Sequence, residues 1–315
     1  MNVLVTGGSS LLGRTVANVL VARGDDVTCF QRGTSGSLAS DVRGDIRDRS
    51  ALLEAAEGVD AVVHLAALVA PKAPWADMVA INIDGTRNAL EAAGSTGRFV
   101  YISSPSVAFH DQPSVGSPAL LAEYSGRDGY ARSKALAENV VRNESTIPTV
   151  ILRPHLVWGP GDTQLVGRLT DRARAGKLVL PDGGRALIDT TYIEDAASAI
   201  VAGLDHCIDG DEATEQALVV TGGEPRPLRD LVASILEAAG IDRSPRSMPA
   251  PLAGMLGSAI ERVWPGSEPP LTHFAARQLS VAHWFDQRET RRILGWEPAV
   301  GLDEGFRRLK ASFGQ

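Results

Sequence analysis

Tyr130 and Lys134 stand four residues apart in Tyr130-Ala131-Arg132-Ser133-Lys134. On a helix this spacing stacks both side chains on one face, about a turn apart. An ammonium held beside a phenol favours the phenolate, so a group that ordinarily ionises near ~10 can exchange its proton at milder pH. Upstream, Tyr101-Ile102-Ser103-Ser104-Pro105-Ser106-Val107 sets hydroxyls directly behind a short apolar run. A strand-end hydroxyl and a helix-borne Tyr/Lys pair can converge on one carbonyl.

Such groups need a rigid frame. Val3-Leu4-Val5, Val27-Thr28-Cys29-Phe30, Ala61-Val62-Val63-His64-Leu65, Phe99-Val100-Tyr101-Ile102 and Thr149-Val150-Ile151-Leu152 read as fully buried strands. Helical patterns over residues 12–23, 48–57, 78–93 and 130–144 separate them. Repeated strand–helix–strand units imply an α/β fold, a doubly wound parallel sheet of Rossmann type whose ligands bind beyond the carboxyl ends of the strands. After Arg153-Pro154 the rhythm changes. Residues 155–177 read as a loop and a basic helix, 188–193 as a strand, and 195–205 as a helix capped by its acidic start. Ala217-Leu218-Val219-Val220 reads as a further strand and 228–239 as a helix. The final third is rich in Pro and Trp and lacks strand alternation. The expected division is a dinucleotide-binding domain of residues 1–154 and 186–221, with a smaller, mostly helical C-terminal substrate lobe of 155–185 and 222–315.

Thr6-Gly7-Gly8-Ser9-Ser10-Leu11-Leu12-Gly13 links the first strand to the first helix. Glycines here let the backbone turn tightly and approach a pyrophosphate, which the helix N-terminus attracts. Ser10 stands where a central glycine is usual; its Cβ would crowd the phosphates slightly, although its hydroxyl can also donate to one. The second strand ends in Gln31 and Arg32 with Gly33 behind, and no carboxylate. An acidic residue there accepts from a ribose 2′-hydroxyl, whereas a guanidinium suits a 2′-phosphate. The expectation is NADP, with NAD as the alternative. Asp45, in Gly44-Asp45-Ile46, could accept from an adenine amino group, and Ala66 and Ala67 would let backbone pass close to the cofactor. His64 is read as buried and structural.

The 315 residues are 44% hydrophobic and 22% charged, with a formal net charge of -7. That balance argues against a nucleic-acid partner, which would need a basic stripe. Cys29 and Cys207 are the only cysteines. No metal site is expected, and a reducing, cytoplasmic home is. The opening residues read as a buried strand rather than a signal peptide. The apolar stretch 251–260 is too short for a transmembrane segment, which needs roughly 20 residues. It reads as a half-buried helix; membrane-surface contact or a lid over an apolar pocket are the other readings.

Together with the glycine loop, the serines and the Tyr/Lys pair, several further residues make the chain resemble the extended short-chain dehydrogenase/reductase superfamily. These are Asn82, Gly85-Thr86, Arg153-Pro154 and Leu294-Gly295-Trp296-Glu297-Pro298. Leu152-Arg153-Pro154-His155-Leu156-Val157-Trp158-Gly159-Pro160-Gly161-Asp162 and Asp189-Thr190-Thr191-Tyr192-Ile193-Glu194-Asp195 are similar to a narrower group, the 3β-hydroxysteroid dehydrogenase-like reductases. Phe30-Gln31-Arg32 and Ser103-Ser104-Pro105-Ser106-Val107 resemble the 2-alkyl-3-oxoalkanoate reductases within it.

The resemblance implies that Tyr130 is the general acid in ketone reduction, and that Lys134 binds the nicotinamide ribose and holds the Tyr130 pKa down. Ser104, three residues before Val107, would polarise the carbonyl, with Ser103 as the alternative. The full expected cofactor set is Gly7, Ser9, Ser10, Leu11, Leu12, Gly13, Gln31, Arg32, Asp45, Ile46, Leu65, Ala66, Ala67, Asn82, Ser103, Tyr130, Lys134 and Pro154. Two readings stand for Arg153, a pyrophosphate contact or a structural ion pair. Two also stand for His155 and Trp158, the pocket mouth or packing, and Asn82 reads more as a backbone bridge than as a participant.

Sugar dehydratases of the superfamily carry an Asp-Glu pair where this chain has Pro105 and Ser106. Pro251, Leu252, Met255, Leu256, Ile260, Trp264, Leu271 and Phe274 suggest an apolar pocket, better suited to a steroid or long acyl chain than to a nucleotide sugar. The expected function is reversible reduction of a lipophilic ketone, with a 2-alkyl-3-oxoalkanoate ahead of a 3β-hydroxysteroid. A nucleotide-sugar epimerase and a non-catalytic NADP(H) sensor are the further alternatives. A homodimer paired through the helix carrying Tyr130 is implied by the resemblance alone.

Overall fold

Val3 and Val5 pack against one layer of helices and Leu4 against the other, so the first strand is buried on both sides. The same holds along β1 (Asn2–Thr6), β2 (Asp26–Gln31), β4 (Ala61–His64), β5 (Phe99–Ile102), β6 (Thr149–Pro154) and β7 (Ala217–Val220), which with the edge strand β3 (Ser40–Arg43) make a seven-stranded sheet. All pairings are parallel, in the order β7-β6-β5-β4-β1-β2-β3. The strand order reverses between β1 and β4, which opens a crevice at their carboxyl ends. This is a computed structural model describing residues 1–70, 72–94, 97–124, 126, 128–214, 216–266, 269 and 271–314.

Helices α1 (Leu11–Arg23) and α5 (Ile193–Asp205) cover one face, through Val16, Leu20, Ala197, Ile200 and Leu204. Helices α2 (Arg49–Ala55), α3 (Gly85–Ala93) and α4 (Gly129–Glu144) cover the other, through Leu52, Ala89, Leu90, Ala137 and Val141. Each fully buried aliphatic side chain contributes roughly 1.5–3 kcal/mol. The late Leu-Gly-Trp motif belongs to this frame: Ile293, Leu294 and Trp296 join the α1/α5 layer, and the Trp296 indole donates to Ser198 Oγ at 2.9 Å.

Four local features depart from the sequence pattern. Strand β3 was not legible because all four of its residues are exposed, leaving no apolar alternation. The helix expected over 78–93 starts at Trp75 and passes through a π-helical stretch, Val79–Asp84, which carries the buried Asn82. The strand expected over 188–193 is two. Leu187–Ile188 joins a sheet with Arg226–Pro227, His283–Phe285 and Ser114–Ser117, while Thr191–Tyr192 pairs with Val157–Trp158. The break falls at Asp189, whose carboxylate accepts from Thr190 N, Thr221 Oγ1 and Gly223 N. Helix α5 begins at Ile193 with no side-chain cap, and its acid Asp195 instead holds the amides of Ala299 and Val300.

The remaining helices are Val166–Arg174, Leu228–Ala238, Ala250–Val263, His273–Gln278, Arg288–Leu294 and Leu302–Phe313. A separate core of Trp158, Leu180, Ile188, Leu231, Ile235, Phe306 and Leu309 holds several of them. Among the described residues no helix is long and apolar enough to cross a membrane.

Candidate active site

The glycine loop is built by close approach of backbone to backbone. Gly7 has φ +77, and a Cβ there would stand 2.8 Å from Ala66 N in the loop after β4. Ser10 is the N-cap of α1: its hydroxyl accepts from Gly13 N at 3.0 Å and donates to Gly7 O at 2.9 Å. Its one proton closes the loop in this structure. The amides at the start of α1 remain the anion-binding feature.

A cleft of about 280 Å³ opens beside this loop. It is lined by Gly7, Ser9, Ser10, Gln31, Arg32, Asp45, Ile46, Leu65, Ala66 and Ala67 among the expected cofactor residues, and also by Phe30, Gly33, Gly44, Leu68 and Ile81. Gly44 carried the signal for part of this extension, because a Cβ there would collide with the Phe30 ring at 2.2 Å. Gln31 Nε2 donates to Asp41 at 2.8 Å, and its Oε1 lies near Gly8, buried and unpartnered. Asp45 is gripped by Arg47 through both carboxylate oxygens, which with Arg32 nearby holds its pKa down at about 2. The cradle and the polar groups fit a dinucleotide, with an anion acceptor at α1 and Arg32 at the far lip.

Several expected cofactor residues stand behind the cleft rather than in its wall. Leu11 and Leu12 pack into the hydrophobic cores, and Gly13 is required because a Cβ would meet Gly7 O at 2.3 Å. Asn82 is a bridge. Its Oδ1 accepts from Leu68 N at 2.6 Å, and its Nδ2 donates to Leu68 O at 3.1 Å and Ser133 Oγ at 2.8 Å. It thereby ties the loop after β4 to the helix carrying Tyr130. Pro154 closes β6 opposite Val220 and is likewise absent from the cleft lining.

Helix α4 is capped by Asp128, which accepts from Ala131 N at 2.8 Å. Tyr130, Lys134 and Glu138 follow at four-residue intervals and face β5. Ser103 and Ser104 separate cleanly here. Ser103 Oγ donates to the buried Glu138 carboxylate at 2.6 Å, and Ser103 is absent from the cleft lining. The Ser104 hydroxyl lies near enough to the Tyr130 phenol to favour its ionised form.

The phenol does not show the lowering expected from Lys134. Burial and the Asp128 charge push Tyr130 up to about 12, against which only the nearby Ser104 hydroxyl pulls down. Lys134 acts elsewhere. Its Nζ donates to Ile102 O at 2.7 Å and lies 4.2 Å above the Tyr101 ring. Burial pushes this lysine down to about 7, partly offset by Glu138.

Arg153 resolves as the structural ion pair. It is 1% exposed, and it donates to Glu138 through Nε at 3.0 Å and Nη2 at 2.5 Å. His64 is structural: it bridges Thr6 and Thr86, and burial lowers it to about 3. His155 and Trp158 are packing residues. His155 Nε2 meets His283 Nδ1 at 2.9 Å, while Trp158 stacks on Phe306 and donates to Thr190.

The expected apolar pocket wall is also corrected. In helix Ala250–Val263 the buried side is Ala253, Gly254 and Gly257, whereas Leu252, Leu256 and Met255 face outward, the last 70% exposed. Small residues let this helix lie directly on His273–Gln278, where a Cβ on Gly257 would touch Thr272 backbone at 2.7 Å. Of that set, Phe274 packs inward, edge-on to Phe109 and Tyr124.

Residues 3–217 match the NAD dependent epimerase/dehydratase family. A 2-alkyl-3-oxoalkanoate reductase of Stenotrophomonas maltophilia is 39% identical, over 99% of both chains. A 3beta-hydroxysteroid-dehydrogenase/decarboxylase of Arabidopsis thaliana is 31% identical over 86% of this chain and 51% of that longer protein. A UDP-glucose 4-epimerase of Thermotoga maritima has the same fold, with a TM-score of 0.77 at 21% identity over 100% of this chain and 99% of that one. With its glycine loop, strand-end serine and Tyr/Lys helix in the arrangement described, the chain belongs to the NAD dependent epimerase/dehydratase family, the extended short-chain dehydrogenases/reductases.

Proposed function

We propose that this family member reduces a ketone on a lipophilic substrate to a secondary alcohol, reversibly and with NADPH, and that the ketone is a 2-alkyl-3-oxoalkanoate. One observation carries the reading: a strand-end hydroxyl, Ser104, beside a helix-borne phenol held protonated up to about 12. Tyr130 Oη keeps its proton at neutral pH and can give it to a carbonyl oxygen. Ser104 donates to that same oxygen as negative charge builds on it. Lys134, in the family role, binds the nicotinamide ribose. Bound NADPH supplies the hydride for the carbonyl carbon. Water removal is disfavoured because Pro105 and Ser106 stand where the dehydratases carry their acids.

The name of the Stenotrophomonas relative supports the substrate class, as does the Phe109–Phe274–Tyr124 cluster next to α4, where Tyr124 Oη accepts from Asp128 N. A 3β-hydroxysteroid is the second reading, on the strength of the Arabidopsis relative. Arg32 at the cleft lip favours NADPH over NADH, since β2 ends without a carboxylate. The two-lobe division of residues 1–154 with 186–221 and 155–185 with 222–315 is part of the same reading, as is a homodimer paired through α4.

The test is one set of oxidation rates for NADPH and NADH with a 2-alkyl-3-oxo acid, a 3-ketosteroid and a nucleotide sugar. Turnover is expected with the oxo acid, and Arg32→Ala should lower the NADPH-to-NADH preference about tenfold. Epimerisation of the sugar, or cofactor binding without oxidation by any ketone, would refute the reductase. An unchanged preference in Arg32→Ala would refute the cofactor assignment.

A further inference from the structure

Ser104 Oγ accepts two hydrogen bonds from a single neighbour, one from Ser106 N at 3.2 Å and one from Ser106 Oγ at 2.9 Å. A hydroxyl has two acceptor sites and one proton. With both acceptor sites filled, the Ser104 proton can only be donated outward, on the side where the Tyr130 phenol lies. Ser106 is 5% exposed and sits in the one-turn helix Pro105–Ala108, which Ser104 caps and Pro105 opens. That turn aims the Ser106 amide and hydroxyl at the same oxygen.

We infer that Ser106 is a positioning residue, which holds Ser104 as an obligate donor to the oxygen being protonated. The inference rests on the proposed roles of Ser104 and Tyr130 in ketone reduction, and it adds no covalent step. Its chemical content is polarity. A Ser104 free to rotate can accept from Tyr130 Oη, and the phenolic proton is then held on the serine rather than offered to the substrate. A Ser104 saturated by Ser106 leaves the Tyr130 proton as the one available, and adds its own donation to the developing oxyanion. Ser106 acts without touching the substrate. Its effect therefore falls on kcat, while the binding of substrate and NADPH is set elsewhere.

The experiment compares Ser106→Ala, Ser106→Cys and Ser106→Thr with Ser104→Ala and Tyr130→Phe, using NADPH and a 2-alkyl-3-oxo acid. Cysteine keeps the size of serine with a weak donor, so it carries the test if the alanine variant folds poorly. Threonine keeps the hydroxyl. Expected is a loss of about tenfold in kcat for Ala and Cys, KM within about twofold, and kcat restored to within about twofold of wild type by Thr. Wild-type kcat in the Ala and Cys variants would overturn the inference. So would a Thr variant as slow as Ala, or a loss confined to KM. Full activity in Ser104→Ala and Tyr130→Phe would instead overturn the reductase reading beneath it.

Discussion

Tyr130→Phe should lower kcat by about 10²–10⁴-fold while leaving NADPH affinity nearly unchanged. The ring stays, so the packing of α4 on β5 is retained, and only Oη is removed. The cleft that would hold the dinucleotide is lined by the end of β2, the loops after β1, β2, β3 and β4, and Ile81, and Tyr130 is not in its wall. The phenol, pushed up to about 12, is fully protonated across neutral pH, so it is an acid in waiting whose loss no neighbouring group replaces. Lys134 cannot substitute, because its Nζ is turned to Ile102 O. Fluorescence titration with NADPH beside steady-state rates separates the two effects. A folded Tyr130→Phe protein with wild-type turnover would remove Tyr130 from the chemistry.

The second large effect is on stability. Glu138→Ala should destabilise the fold by about 3–5 kcal/mol, because it leaves the Arg153 guanidinium buried without its counter-charge. Both side chains are essentially inaccessible, at 1% for Arg153 and 0% for Glu138, so solvent does not screen the pair. The double variant Glu138→Leu with Arg153→Met should recover most of the loss, since removing both charges removes the desolvation penalty as well. The pH dependence has a definite sign. Arg153, Ser103 and Arg142 together hold the Glu138 carboxyl below its ordinary value, despite burial. Its stabilisation is therefore complete above the unfolded glutamate value of about 4.3, and is lost as pH falls through the lower folded value. Denaturation at pH 7 and in acid should show the gap between wild type and Glu138→Ala closing in acid. A gap below about 1 kcal/mol at pH 7 would mean the pair is not a keystone.

The frame was legible because buried parallel strands have a simple signature. Runs such as Ala61-Val62-Val63 and Phe99-Val100-Tyr101 are short, apolar and bounded by helical patterns, and each lies where the pattern put it. The glycine loop and the Tyr/Lys spacing were legible for the same local reason. What failed was whatever depends on a distant partner. Strand β3 is held by pairing with β2 and shows no apolar face of its own. The helix Ala250–Val263 has clear periodicity, but its buried stripe is the small one, Ala253, Gly254 and Gly257, because a flat face packs closer than a bulky one. Ser103 and Ser104 are adjacent on one strand end, and only Glu138, 35 residues away from Ser103, separates their roles. Ser106 went unread as a functional residue because its part appears only when the hydrogen bonds into Ser104 are counted.

The most direct test of ketone reduction is isotope transfer from NADPH deuterated on the nicotinamide ring at the transferable position. With a 2-alkyl-3-oxo acid as substrate, the 3-hydroxy product should carry deuterium on its carbinol carbon, in step with NADPH oxidised. Tyr130→Phe should slow its appearance as it slows turnover. No NADPH oxidation with the oxo acid, or a hydroxy product without deuterium at that carbon, would contradict a Tyr130-centred reductase.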